Sequence, residues 1–112
     1  MRPESKKLLA DMQEAANLIA GFLENKTLSD LKTEPLLRSA VYYQFTIVGE
    51  ALTQLRQQDE ATAQRISEAS RIIGFRNQVV HGYGKIDDEI TWRILQTKLS
   101  ILRRELELLQ AE

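Results

Sequence analysis

Apolar side chains recur every three or four residues along almost the whole of this 112-residue chain. That spacing places them on one face of an α-helix, which has about 3.6 residues per turn. Only two prolines and five glycines interrupt the pattern, too few for the many turns of an all-β domain. The periodicity therefore predicts an all-α fold in which each helix buries one face.

The first two runs of regularly spaced apolar side chains predict two long helices. The first helix follows Ser5, whose hydroxyl is a suitable N-cap, and a connection is expected at 24–30. Its apolar positions are Leu8, Met12, Ala15, Ile19 and Phe22. The second helix begins near Pro35, because proline suits the first helical position. It has two adjacent apolar stripes and should therefore need more than one neighbour. These stripes consist of Leu37, Val41, Gln44, Val48, Leu52 and Leu55, and of Leu36, Ala40, Tyr43, Ile47 and Ala51.

Two further helices complete the chain. The third is predicted over about 62–81 and ends at Gly82, because glycine favours the left-handed conformation just past a helix end. The fourth begins at Asp87 or Asp88, either of which can cap it. Its two stripes consist of Ile90, Ile94, Thr97 and Ile101, and of Leu95, Leu99, Leu102, Leu106 and Leu109. Four helices with short connections predict an antiparallel up-and-down four-helix bundle, one domain over residues 1–112.

Composition narrows the class of function. A net charge of −1 and a pI of about 5.9 argue against a protein that holds nucleic acid through bulk basicity. The absence of cysteine excludes disulfides, thiol catalysis and zinc–thiolate sites. The N-terminus lacks the apolar core of a secretory signal, and no segment reaches the roughly 20 apolar residues of a membrane span. We expect a cytoplasmic protein.

The segment FRNQVVHGYG at 75–84 holds the single histidine of the chain, His81. Arg76 precedes it by five positions and Tyr83 follows it by two. Histidine transfers protons near neutral pH, arginine presents a planar fork to phosphate oxygens, and a phenol can donate a hydrogen bond or stack on a base. Together they suit metal-free phosphoryl transfer on RNA, whose 2′-OH is its own nucleophile. The structural alternative is a surface arginine, a core tyrosine and a histidine favoured by the helix dipole.

An ideal helix would keep Arg76 and His81 apart. Five residues turn the helix by about 500°, which leaves the two side chains about 140° apart, whereas Asn77 and His81 share a face. Arg76 and His81 therefore converge only if the helix ends before His81 or if two chains complete one site. A two-fold dimer with this helix end at its interface would bring two histidines, two arginines and two tyrosines into one cleft.

Glu50, in the segment IVGEAL, lies on a mostly apolar helix. A carboxylate near a buried face needs a partner, and Arg76 or Arg71 is the expected one. The alternative is a glutamate that faces solvent.

The segment RNQVVHGYGKIDDEITW resembles the HEPN superfamily and, within it, the HepT-like toxins of bacterial and archaeal toxin–antitoxin pairs. Arg76, His81 and Tyr83 match the family pattern Arg-x4-His-x-Tyr, and a polar residue, Asn77, directly follows the arginine. The segment at 47–52 is similar to the family's second-helix signature. The resemblance implies an all-α bundle that dimerises with the motif in a cleft between chains, and metal-independent RNA cleavage by Arg76 and His81 without a cofactor.

The resemblance also implies a partner. A minimal nucleotidyltransferase antitoxin would neutralise the toxin by transferring AMP to Tyr83. In the cleavage site itself, we expect Asn77, Tyr83 and Glu50 to support the catalytic pair or to position the substrate. One alternative is a non-catalytic accessory bundle that binds a nucleotidyltransferase and offers it substrate, with no RNA cleavage and no toxicity. A purely structural helical dimer is another, but it does not explain why arginine, asparagine, histidine and tyrosine cluster at a glycine-flanked helix end.

Overall fold

The computed structural model describes residues 1–81 and 86–112, and over these residues the chain is helical with no strands. The prediction of an all-α fold is confirmed. The described residues form six helices rather than four, because two short helices accompany the long ones. They are α1 (Pro3–Leu23), α2 (Leu28–Thr33), α3 (Pro35–Gln58), α4 (Glu60–Ala63), α5 (Ala69–His81) and α6 (Asp88–Gln110).

The first helix begins earlier than predicted, and Ser5 is not its N-cap. The N-cap is Arg2, and Pro3 occupies the first helical position, where proline is tolerated because its missing N–H has no partner to lose. Ser5 is fully buried inside the first turn and donates a hydrogen bond to Asp59 over 2.7 Å. This bond ties the start of α1 to the end of α3.

The predicted connection at 24–30 is only partly a connection, because α2 begins within it at Leu28. Thr27 and Asp30 form a capping box in which each side chain accepts from the other residue's backbone N–H. Such a box satisfies two N–H groups that a helix start leaves without partners. The segment then places Leu31 in the core with no exposed surface.

The predicted start of the third helix, near residue 62, is wrong, because α5 begins at Ala69. Asp59 caps the separate helix α4 by accepting from the backbone N–H of Thr62, and its carboxylate also accepts from the hydroxyl of Thr62. These hydrogen bonds favour a helix start here, and the chain then turns before α5 begins at Ala69. The described part of α5 extends to His81, and the predicted stop at Gly82 lies outside the described residues.

Helix α3 is the centre of the domain. It packs against α1 on one side and α5 on another, and α1 also packs against α6. The expectation of more than one neighbour for α3 is therefore confirmed. Its first apolar stripe is largely buried, but the second is open to solvent in places, with Leu36 84% and Tyr43 65% exposed.

Helix α6 begins where predicted, and Asp87 rather than Asp88 caps it by accepting from the N–H groups of Glu89 and Ile90. Its leucine stripe enters the core at Leu95, Leu102, Leu106 and Leu109. The neighbouring stripe stays accessible, with Ile90 48% and Ile101 42% exposed. No helix among the described residues is both long and apolar enough to cross a membrane.

Candidate active site

Arg76 is held against α3 by a glycine. A Cβ atom added to Gly49 would collide with the Cβ and Cγ of Arg76. Atoms so close to the backbone cannot swing away, so the two helices could approach this closely only with glycine at this position. The aliphatic stem of Arg76 therefore lies directly on the backbone of α3.

The guanidinium of Arg76 forms an ion pair with Glu50 across the two helices. It also donates to the side-chain oxygen of Asn77 over 3.1 Å, and its Nε is buried without a partner among the described residues. Of the two partners expected for Glu50, Arg76 is therefore the correct one, and Arg71 instead lies 3.7 Å from Glu68. The Glu50 side chain is nevertheless 48% exposed, so the pair forms at the surface.

His81 lies elsewhere on the same helix. It is the last residue of α5, and both His81 and Asn77 are exposed. Because α5 stays helical through His81, the first of the two routes to a complete site, a helix that ends before His81, is excluded. Arg76 turns toward α3 while His81 turns toward solvent, as the angle of about 140° requires.

Tyr83, Gly82 and Gly84 fall outside the described residues, so the proposed modification site and the flanking glycines are not located by the structure.

A groove of about 980 Å³ lies beside the Arg76–Glu50 pair, between α1 and α3. Its lining includes the apolar side chains of Leu18 and Ile47. Four carboxylates and two cations also line it: Glu4, Asp11, Glu14, Glu50, Lys7 and Arg76. Away from Arg76, the excess of carboxylates makes this groove a poor surface for a polyanion.

A polar cluster that sequence reasoning missed fixes the start of α6. The Tyr42 hydroxyl donates to Asp88 over 2.8 Å and lies 2.8 Å from the Thr91 hydroxyl, while Arg38 donates to both carboxylate oxygens of Asp88. Burial raises the pKa of Tyr42 well above its usual value, so the phenol stays a donor at any physiological pH. This cluster anchors the C-terminal flank of the segment that carries Tyr83.

Gly49 is a further residue of the site that was not predicted from the sequence. The sequence does contain a signal for it, because a glycine inside an otherwise helical apolar pattern lowers helix stability and often has a packing reason. The partner helix that gives that reason lies 27 residues further along the chain at Arg76, and periodicity does not reveal such a pairing.

These features define a class of protein: an all-helical domain in which one helix carries an arginine packed against its neighbour and an exposed histidine on a different side. The family described as "Ribonuclease HepT-like" matches residues 12–109, so the chain belongs to the HepT-like ribonuclease family. It is also 24% identical over 103 residues, 92% of this chain and 94% of the relative, to a protein named "Putative RNase MJ1380" from Methanocaldococcus jannaschii. No solved structure gave a significant match.

Proposed function

We propose that this chain is the toxin of a type VII-like toxin–antitoxin pair and cleaves RNA without a metal ion, in a site that two chains complete. The observation that carries the proposal is the placement of Arg76 and His81 on different sides of a helix that continues through both. Membership of the HepT-like ribonuclease family supports the RNA substrate.

The proposed reaction uses the ribose as nucleophile. The 2′-OH attacks the neighbouring phosphorus, a histidine removes its proton, and the bond from phosphorus to the 5′-oxygen breaks. That oxygen leaves with a proton from an acid, and the products are a 2′,3′-cyclic phosphate and a free 5′-OH. Arg76 binds the phosphate oxygens and stabilises the charge that develops on them. With two His81 residues in one cleft, one would act as base and the other as acid.

The surface of α3 supports a dimer of this kind. Leu36 and Tyr43 are large apolar side chains on the outside of α3, 84% and 65% exposed. Ile47 continues their stripe toward Glu50 and thus toward the contact with Arg76. Apolar side chains of this size, clustered and exposed, are typical of protein–protein contacts. A homodimer through this stripe would place the Arg76 residues of both chains beside the interface.

The proposed partner is a minimal nucleotidyltransferase antitoxin, which would assemble with the dimer into a larger complex and transfer AMP to Tyr83. Tyr83 follows the exposed His81 by two residues, so a modifying enzyme that reaches it also covers the histidine. Bulk and negative charge added there would oppose the binding of an RNA phosphate.

The acidic groove favours a second candidate function. Its carboxylates repel RNA but suit a basic segment of a protein partner, as expected for a non-catalytic accessory bundle that binds a nucleotidyltransferase. The two candidates differ in one observable: only the toxin cleaves RNA in the absence of a partner.

The decisive experiment expresses the chain alone and then purifies it. Expression should arrest growth, and the purified protein should cleave RNA in the presence of a chelator. Both effects should be lost in His81→Ala and Arg76→Ala variants that retain their helical content. Cleavage that persists in both variants would contradict the assignment of the site. A pure, folded wild-type protein without any cleavage activity would favour the accessory bundle.

The modification has its own measurement. After co-expression with the nucleotidyltransferase, the intact mass should rise in multiples of one AMP, and Tyr83→Phe should abolish the increase. An AMP adduct on another residue would show that the antitoxin uses a different target.

A further inference from the structure

Gly74 is a mid-helix glycine that no contact among the described residues explains. Gly49 is required by its contact with Arg76, whereas Gly21 is as open as Gly74 but lies in the last turn of α1, where a glycine costs less than in a helix interior. Gly74 lies in the middle of α5, and a Cβ atom added there would meet nothing within 4 Å. A glycine inside a helix lowers its stability relative to alanine. Something outside the chain must therefore approach this backbone closely if the glycine has a structural reason.

Gly74 belongs to the exposed stripe that ends at the candidate catalytic histidine. Positions three, four and seven residues apart share a helix face, which puts Gly74 in line with Asn77, Gln78 and His81, all of them exposed. Seven residues of α-helix separate Gly74 from His81 by about 10 Å along the axis. A ligand lying against Gly74 would reach the catalytic histidine without crossing to another face.

A shallow groove of about 520 Å³ runs beside this stripe, between α5 and α6. Its lining consists of Arg71, Gly74, Phe75, Gln78, Ile90, Arg93 and Ile94. Two are arginines and none of these described lining residues is acidic. On a chain with a net charge of −1, the groove is a local cationic surface, opposite in character to the acidic groove between α1 and α3.

Among the described residues Arg71 forms an ion pair with Glu68, but it shares that carboxylate with Lys98. Glu68 lies 3.7 Å from Arg71 but is closer to Lys98, at 3.2 Å, and Glu89 is paired with Lys32 at 3.0 Å. Arg93 is exposed and makes no ion pair among the described residues. Arg93 is therefore available to an anionic ligand, and Arg71, whose side chain is 61% exposed, keeps its terminal nitrogens for one although its Nε is paired with Glu68.

The charge of the groove also indicates which macromolecule binds there. A second copy of the chain whose two-fold axis passed through the groove would place each arginine near its own counterpart or near the other arginine, with no carboxylate among the lining residues to offset the repulsion. A polyanion meets no such repulsion, and each phosphate that an arginine binds releases counterions.

We propose that the groove between α5 and α6 binds the RNA strand, with Arg71 and Arg93 on its phosphates. Gly74 is the point where the strand lies against the helix backbone, and Ile90 and Ile94 provide an apolar floor for a ribose or base. This inference rests on the proposed function, because it supplies the substrate path that leads to His81.

The test measures RNA affinity apart from cleavage. In a His81→Ala background, Arg71→Gln and Arg93→Gln should each weaken binding of a short single-stranded RNA, by about three- to tenfold at moderate salt. Each should also reduce the slope of log affinity against log salt by about 0.7, the value for one lost contact to a single strand. Arg56→Gln, an exposed arginine on α3 outside the grooves described above, is the matched control and should bind as tightly as the parent.

Gly74→Ala gives two effects of opposite sign. The melting temperature should rise by a few degrees, because the added Cβ meets no neighbour and alanine is the better helix former. RNA affinity should nevertheless fall about threefold or more, because the methyl group occupies the space of the strand. Because Gly74→Ala should be more stable than the parent, destabilisation could not explain its loss of RNA affinity.

Three results would overturn the inference, and they differ in whether the proposed function is rejected with it. Unchanged affinity in both arginine variants, with the wild type still cleaving RNA, would reject the groove and keep the proposed function. A shift from dimer to monomer in Gly74→Ala or Arg71→Gln would make this face an interface between copies. A wild-type protein that neither binds nor cleaves RNA would reject both proposals.

Discussion

The residues on the two sides of α5 differ in the contacts that they make within the chain. On the inner side, Arg76 is packed on the backbone of α3 at Gly49 and paired with Glu50. On the outer side, Gly74 and His81 are exposed, and a Cβ atom at Gly74 would meet no neighbour. The described residues therefore fix the arginine and leave the histidine exposed, and in the proposed function a second chain or RNA completes the surroundings of the histidine.

The two mid-helix glycines show the same difference. Gly49 and Gly74 each lower the stability of their helix, but only Gly49 gains a contact within the chain in return. A packing residue of the inner side should thus respond to substitution through the stability of the fold, and an outer residue through the binding of a second chain or of RNA. Arg76 belongs to the inner side and to the proposed site, so its substitution should also affect cleavage.

The largest expected effect concerns the outer side. His81→Ala should reduce RNA cleavage by about two to four orders of magnitude, the usual contribution of a general acid or base, without changing the melting temperature. If two histidines share one cleft, dimers that mix wild-type and His81→Ala chains are inactive as well. Activity should then fall with the square of the wild-type fraction, measured after the chains are unfolded together and refolded. A linear fall would show that each chain acts alone.

Gly49→Ala tests the inner side. The added methyl group would overlap the stem of Arg76 near its backbone, so α5 must move, and we expect a loss of about 1–3 kcal/mol in the free energy of unfolding. Denaturant titration measures the loss. Gly21→Ala is the control, because a Cβ there meets nothing within 4 Å. Equal stability of the two variants would mean that the close approach of α3 and α5 is not required.

The sequence predicted part of each side: Arg76 was one of two partners expected for Glu50 on the inner side, and His81 was identified on the outer side, where Gly74 was not. Periodicity identified the long helices, and the angle of about 140° between Arg76 and His81 follows from helix geometry alone. The position of Gly49 under Arg76 and the cluster around Tyr42 depend on which helices become neighbours. Hydrogen bonds that cap helices, such as those of Asp59, also decide where helices begin. In this way α4 and α5 are separate helices, although the apolar spacing predicts one continuous helix over 62–81.

Tyr42→Phe tests a second inner contact, the cluster that anchors α6. The variant leaves Asp88 and Thr91 without the phenol, and Thr91 is only 1% exposed. A lost hydrogen bond in such a place costs about 1–2 kcal/mol, which thermal unfolding would detect. Tyr43→Phe is a control of the same chemistry on the exposed face. If both variants melt at the wild-type temperature, the cluster does not stabilise the start of α6.

The smallest effect is expected for Glu50→Gln. The ion pair with Arg76 lies at the surface, where such pairs contribute about 0–1 kcal/mol, and the packing on Gly49 already fixes the stem of Arg76. The glutamine keeps an oxygen for the guanidinium to donate to, so the stability should fall by less than about 1 kcal/mol.

The same substitution shows what positions Arg76 for RNA. Cleavage should fall far less in Glu50→Gln than in Arg76→Ala, because the arginine keeps its place. Glu14→Gln, a carboxylate in the same groove without an ion pair among the described residues, is the control for the change in charge. A loss in Glu50→Gln as large as that in Arg76→Ala would show that the carboxylate, and not the glycine, holds the guanidinium in position.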